Sequence, residues 1–220
     1  EAANDMVGKA ISSGGDLDGD GYNDLVVGAF QESYAGPTAG AVYVVDGPIS
    51  GTMGLASADS KVVGESASDY AGRAVDSIGD IDNDGYDDLA VGARGDDDGG
   101  AEAGAVYIVY GPISGGKSYL SSADAKMVGD VTYGWGFGYS VSTGGDLNGA
   151  NYDDLVVANY GGSDVYFHYA PIVGTMSATA ADAIFSDSTS TSDGQMVTAD
   201  GDVDGDGYSD LLIGAESINS

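Results

Sequence analysis

The chain has 220 residues, 36 of them acidic and six basic, for a formal charge of −30 at pH 7. So acidic a chain argues against nucleic acid and anionic membrane as partners, because both need a basic face. Cysteine is absent, which leaves no disulfide framework and no thiolate metal site, and no apolar run approaches the ~18 residues of a membrane span.

In chain order, Gly8-Lys9-Ala10-Ile11 opens a first strand. It leads into an acidic run, Asp16-Leu-Asp-Gly-Asp-Gly-Tyr-Asn-Asp24, and then into Leu25-Val-Val-Gly-Ala29. A hairpin over residues 31–39 precedes Ala41-Val-Tyr-Val-Val-Asp-Gly-Pro48, and Lys61-Val-Val-Gly64 follows. The apolar stretches are short, rich in Val, Ile and Tyr, and bounded by Gly, Pro, Asp and Ser, which is how strands read. No helical period is sustained anywhere.

The succession then returns. Gly72-Arg73-Ala74-Val75 leads to Asp80-Ile-Asp-Asn-Asp-Gly-Tyr-Asp-Asp88, Leu89-Ala-Val-Gly-Ala93, Ala105-Val-Tyr-Ile-Val-Tyr-Gly-Pro112 and Lys126-Met-Val-Gly129. Gly138-Tyr139-Ser140-Val141 leads to Asp146-Leu-Asn-Gly-Ala-Asn-Tyr-Asp-Asp154, Leu155-Val-Val-Ala-Asn159 and Asp164-Val-Tyr-Phe-His-Tyr-Ala-Pro171. Gly194-Gln-Met-Val197 leads to Asp202-Val-Asp-Gly-Asp-Gly-Tyr-Ser-Asp210 and Leu211-Leu-Ile-Gly-Ala215. The acidic runs start 64, 66 and 56 residues apart, the last interval shortened by a seven-residue loss in the third unit's hairpin.

Units of four short strands in series predict an all-β fold, a β-propeller of four-stranded blades. The expected units are residues 1–64, 65–129, 130–185 and 186–220, the last incomplete, forming one propeller segment over 1–220. That makes about three and a half blades, whereas closed rings have about four to eight. An open stack exposes apolar faces and a strand edge, so the expectation is that the rest of a longer chain, or further copies, completes the ring.

Aspartates at positions 1, 3, 5 and 9 of a nine-residue turn, with Gly at position 6, suit a hard divalent cation. Ca²⁺ takes about six to eight oxygens, and the turn must converge them without a bulky residue. The expected ligands are Asp16, Asp18, Asp20, Asp24 and the Tyr22 carbonyl; Asp80, Asp82, Asp84, Asp88 and the Tyr86 carbonyl; and Asp202, Asp204, Asp206, Asp210 and the Tyr208 carbonyl. An EF-hand needs a bidentate Glu at its twelfth position; Val27, Val91 and Ile213 stand there, so the ninth-position Asp must close the site. Mg²⁺ fits less well, because it keeps its waters and takes fewer protein ligands. The third run retains Asp146 and Asp154, offers Asn148 and the Tyr152 carbonyl, and has Ala150 at position 5. Fewer charged ligands lower its affinity, and a hydrogen-bonded turn without metal is the alternative.

Other features read as structural. Arg94-Gly95-Asp96 is the tripeptide that integrins bind, yet it begins a Gly/Asp turn and is read as that turn. The hairpins over residues 31–39 and 95–103 are the better sites for partner contact. Tyr133 and Trp135 alternate with glycines and are read as packing between blades, and His168, the lone histidine, as strand packing. No nucleophile–histidine triad and no Gly-x-Ser-x-Gly elbow is present, so no catalytic residues and no enzymatic activity are assigned.

Taken together, these motifs resemble the FG-GAP repeats of integrin α-subunit propellers and their bacterial relatives. Phe137-Gly138 matches the "FG", with Ala71-Gly72 and Val7-Gly8 as variants. Gly28-Ala29-Phe30, Gly92-Ala93-Arg94 and Gly214-Ala215-Glu216 match the "GAP", with the proline replaced. The resemblance implies about seven blades in a complete ring, Ca²⁺ in the acidic loops, and work in adhesion or protein binding. The expected protein is therefore a secreted or cell-surface, calcium-binding interaction module with a protein or glycan ligand. The alternatives are a carbohydrate-binding propeller, an accessory region of a larger extracellular hydrolase or lyase, and a self-assembling fibre subunit. Extracellular fluid, with its millimolar Ca²⁺, suits such loops.

Overall fold

A computed structural model of the chain describes residues 4–133, 136–162, 164–186, 196–205 and 209–214. The first blade is an antiparallel meander of β1 (Val7–Ser13), β2 (Leu25–Ala29), β3 (Ala41–Val45) and β4 (Ser60–Val63). In the second, β5 (Ala71–Ser77), β6 (Leu89–Ala93) and β7 (Ala105–Val109) are followed by β8 (Gly116–Tyr119), which leaves the blade, and β9 (Ala125–Val128), which completes it. The third repeats the plan with β10 (Ser140–Gly145), β11 (Asp154–Ala158), β12 (Asp164–His168), β13 (Gly174–Ser177) and β14 (Ala183–Ser186). The pair β15 (Met196–Gly201) and β16 (Asp210–Gly214) begins a fourth. Among the described residues the protein is thus all-β, a partial β-propeller of four-stranded blades, and no sheet closes into a barrel.

Strands β8 and β13 differ from the four-strand expectation. Each lies in the linker between a blade's third and fourth strands and crosses to the outer edge of the preceding blade. There β8 pairs parallel with β4, and β13 parallel with β9. Each holds a single strand-favouring residue, Tyr119 or Thr175, beside Gly and Ser; a neighbour's open edge supplies the pairing.

The central strands read as unbroken apolar runs because both of their faces are covered. Alternation divides the side chains between two interfaces. Val26, Val42 and Val44 of the first blade meet Leu89, Val91 and Tyr107 of the second. The opposite face of the second blade, with Ala90, Val106 and Ile108, meets Leu155, Val157 and Tyr166 of the third. Val156, Ala158 and Val165 then meet Val197 and Ala199. The shortened hairpin of the third unit leaves this intact, with β11 and β12 paired from Leu155↔His168 to Ala158↔Val165.

Glycine sets the spacing between blades. A Cβ on Gly28 would lie 2.2 Å from the Gly72 carbonyl oxygen, and one on Gly92 2.0 Å from that of Gly138. The Gly of one apolar run therefore faces the Gly of the next unit's first strand, where φ is +81° (Gly72) and +80° (Gly138). His168 occupies the register position of Val45 and Val109. It is 1% exposed and stands edge-on to Phe137, with centroids 6.4 Å apart. The side chains of Tyr133 and Trp135 lie outside the described residues.

Two outcomes follow from this packing. Gly92→Ala should destabilise by about 1–3 kcal/mol through overpacking against backbone, while Gly54→Ala, with nothing within 4 Å of its Cβ, should change urea stability by less than about 0.5 kcal/mol. Burial depresses the His168 pKa to about 4, below its unfolded value of roughly 6.5. Its neutral form therefore stabilises the fold above that unfolded value, and this contribution is lost as pH falls toward about 4. Over that window His168→Val should reduce the acid-induced loss of stability by on the order of 3 kcal/mol.

Candidate metal centre

Each intact loop is folded by its own aspartates. Asp16 Oδ1 accepts the N–H groups of Gly19 (2.8 Å) and Asp20 (3.0 Å), and Asp16 Oδ2 accepts that of Gly21 (2.9 Å). Asp80 does the same for Asp84 (3.0 Å) and Gly85 (2.9 Å). These bonds wrap the chain around the first aspartate, and glycine at position 6 supplies the positive φ of 91° in Gly21 and 97° in Gly85.

The wrapping brings carboxylates together. Asp16, Asp18 and Asp24 each offer an oxygen within 4.8 Å of the others; so do Asp80, Asp82 and Asp88, and Asp202, Asp204 and Asp210. Positions 1, 3 and 9 converge, as required of metal ligands. Asp20 and Asp84 stand outside these groups and accept the N–H of Tyr22 (2.9 Å) and Tyr86 (3.0 Å). Asp206 and Tyr208 lie outside the described residues.

The ninth-position aspartate has a second task. Asp24 accepts Leu17 N–H at 2.8 Å and Gly47 N–H at 2.9 Å, one on each oxygen. Asp88 takes Ile81 and Gly111, both at 2.9 Å, and Asp154 takes Leu147 at 2.9 Å and Ala170 at 3.0 Å. The residue thus ties the acidic loop to the turn after the blade's third strand. Burial raises the pKa of all three carboxyls against these hydrogen bonds, that of Asp88 to about 7.

The third loop keeps the fold of the turn with a different donor set. Asp146 accepts Gly149 (2.7 Å), Ala150 (2.9 Å) and Asn151 (2.8 Å), and Asn151 takes the positive φ, 64°. The Asn148 side-chain amide donates to both Asp154 oxygens, at 3.1 and 3.2 Å. A neutral donor thus sits where Asp18 and Asp82 stand in the intact loops.

Compensation of charge separates these loops from another acidic cluster. Glu65, Asp96 and Asp98 also converge, but Lys126 Nζ lies between them, at 3.1, 2.9 and 2.6 Å respectively. In the first two loops, no lysine or arginine among the described residues forms an ion pair with the clustered carboxylates. The Lys126 cluster also decides the reading of Arg94-Gly95-Asp96. Asp96 is buried and accepts the Tyr107 hydroxyl at 2.6 Å, while Arg94 stacks 4.8 Å from the Tyr70 ring. The tripeptide is a structural turn.

Sequence reasoning missed three sets of residues around the loops. Asp87, at the variable eighth position, accepts the Asp16 N–H of the neighbouring blade's loop at 2.7 Å. Asp59, Asp124 and Asp182 accept the N–H following each third strand, at 3.1, 2.9 and 2.8 Å; their recurrence after Ala58, Ala123 and Ala181 was the available signal. Asp46 borders the first loop, and its pKa is raised to about 6 by burial, then by Asp59 and the loop carboxylates. Asp88→Ala should cost about 2 kcal/mol or more in chelator, because two buried N–H groups lose their acceptor. Asp84→Ala should cost about 0.5 kcal/mol or less in chelator and show a larger effect only when a divalent cation is present. Melting curves with and without cation distinguish the two.

The FG-GAP repeat profile matches residues 7–45 and 71–109. Integrin alpha-6 of Gallus gallus is 33% identical over 160 residues, covering 72% of this chain and 14% of that protein. Integrin alpha-PS5 of Drosophila melanogaster is 35% identical over 167 residues, covering 72% and 15%. Integrin alpha-IIb of Mus musculus is 33% identical over 165 residues, with the same two shares, 72% and 15%. The chain therefore spans about one seventh of the length of these relatives. The chain thus carries FG-GAP repeats and is similar to integrin alpha subunits over 72% of its length.

Proposed function

We propose that the intact loops each hold a Ca²⁺ ion that braces the blades of an extracellular, non-catalytic protein-interaction module. The observation that carries this is the convergence of three carboxylates in each of three loops. In the first two loops no basic side chain among the described residues offsets that charge. Uncompensated carboxylates at this spacing repel one another, and an all-oxygen donor set in a tight turn suits Ca²⁺. Asp16, Asp18, Asp20, Asp24 and the Tyr22 carbonyl would hold the first ion, with their counterparts from Asp80 to Asp88 and from Asp202 to Asp210 holding the second and third. A bound ion would supply positive charge beside the ninth-position aspartate and favour its ionised form against burial. The third loop binds more weakly, because Asn148 already satisfies Asp154.

The extracellular assignment rests on the integrin alpha likeness. Among the described residues no helix is long and apolar enough to cross a membrane. Adhesion or surface assembly through the hairpins over residues 31–39 and 95–103 is the corresponding activity, since loops on a rigid scaffold carry recognition.

Thermal melts in EDTA and in graded Ca²⁺ test the reading. Each site should add about 2.7 kcal/mol when Ca²⁺ stands at a hundredfold excess over its Kd. The melting temperature should fall in EDTA and recover with Ca²⁺ but less with Mg²⁺. A melt indifferent to both ions rules the proposal out.

A further inference from the structure

The first two acidic loops touch each other across the blade boundary. Asp87, between the expected ligands Tyr86 and Asp88, accepts the Asp16 N–H at 2.7 Å, and its own N–H donates to the Asp16 carbonyl at 3.2 Å. The first ligand of one loop is therefore clasped at its backbone by a residue that lies between two ligands of the next. Tyr86 adds a second contact. A Cβ on Gly19 would lie 2.3 Å from Tyr86 Cε1, so the ring rests on the first loop between Asp18 and Asp20. A third contact comes from the segment after β7. Gly111 donates to Asp88 at 2.9 Å, and Ile113, two residues on, donates to the Leu17 carbonyl at 2.7 Å.

The eighth position makes a similar approach at the later junctions. A Cβ on Gly79 would lie 1.9 Å from Asp153 Oδ2, and one on Gly145 2.2 Å from Ser209 Oγ. Gly79 and Gly145, like Gly15, immediately precede the first aspartate of their loops, and glycine there leaves room for the side chain that crosses. The approach is thus built into the repeat. Between the first and second loops it places a charged acceptor on a ligand's own N–H.

Ordering a turn so that its carboxylates converge costs conformational entropy. In the first loop part of that ordering falls to Asp87 and Tyr86, which are themselves held in place when the second loop closes. The bond from Asp16 to Asp87 is charge-assisted, and so among the stronger ones available. Direct Coulomb interaction works the other way, because two cations in neighbouring loops repel.

We propose that Asp87 is a positioning residue that couples the first two loops, so that closure of the second around a cation raises the first loop's affinity for its own. The coupling is reciprocal by linkage. It rests on the calcium reading of the loops and adds to it a positive cooperativity that charge alone would not produce.

The test reads the loops separately in the full 220-residue chain. The N–H groups of Gly21 and Gly85 bond to Asp16 and Asp80, and their amide resonances report the two loops during a Ca²⁺ titration. Asp82→Asn is used to keep the second loop empty, as Gly85 verifies. With Asp87 in place, Asp82→Asn should raise the Ca²⁺ midpoint at Gly21 by about fivefold or more. In an Asp87→Ala background it should leave that midpoint unchanged or lower it, because only repulsion between the ions is then relieved. Asp87→Asn keeps an acceptor without the charge and should give an intermediate shift; it carries the comparison if the alanine variant does not fold. A Gly21 midpoint unmoved by Asp82→Asn, or moved equally with and without Asp87, overturns the coupling and leaves the calcium reading standing. A Gly21 resonance indifferent to Ca²⁺ overturns both.

Discussion

In three of the four acidic loops the ninth residue is a buried carboxylate. Asp24, Asp88 and Asp154 use both carboxylate oxygens to hold the loop against the turn that follows the blade's third strand. Burial opposes that charge, as the raised pKa values of all three record. A buried carboxylate with two N–H donors gains strong, charge-assisted bonds, yet each neighbouring carboxylate raises its cost. The intact loops place two further carboxylates beside it; the third loop places an amide donor there instead. The asparagine of the third loop meets the same electrostatic problem for which we propose a cation in the intact loops.

The blades transmit this constraint along the stack. Loops lie at the same end of successive blades, and Asp87 joins its own loop to the backbone of the previous one. Asp153, its counterpart one blade on, has its pKa raised by burial first and then by Asp87, Asp146 and Asp80. Charge in one loop is thus felt in the next. Apolar alternation and the Gly28–Gly72 and Gly92–Gly138 approaches hold the blades close enough for this coupling to operate.

Much of this architecture was legible in the residues. Strands announced themselves as short apolar runs because both faces of β3, β6 and β11 are covered, and the repeated turns marked where they connect. Convergence of positions 1, 3 and 9 followed from the loop pattern. Three things were hidden, each for a physical reason. β8 and β13 each hold a single strand-favouring residue and pair against another unit's edge, so no local pattern reports them. Asp20 and Asp84 lie outside the carboxylate groups and accept the N–H of Tyr22 and Tyr86, a placement that depends on how the turn closes and that residue type alone does not report. The eighth position varies among Asn23, Asp87, Asp153 and Ser209, and its inter-blade role depends on a neighbour distant in sequence.

The central claim is that a divalent ion balances the clustered carboxylates of the intact loops. Anomalous diffraction from crystals grown in Ca²⁺ addresses it directly. The account predicts strong peaks enclosed by Asp16, Asp18 and Asp24, by Asp80, Asp82 and Asp88, and by Asp202, Asp204 and Asp210, with a weaker peak or none at Asp146. Featureless density within all three carboxylate groups would contradict it.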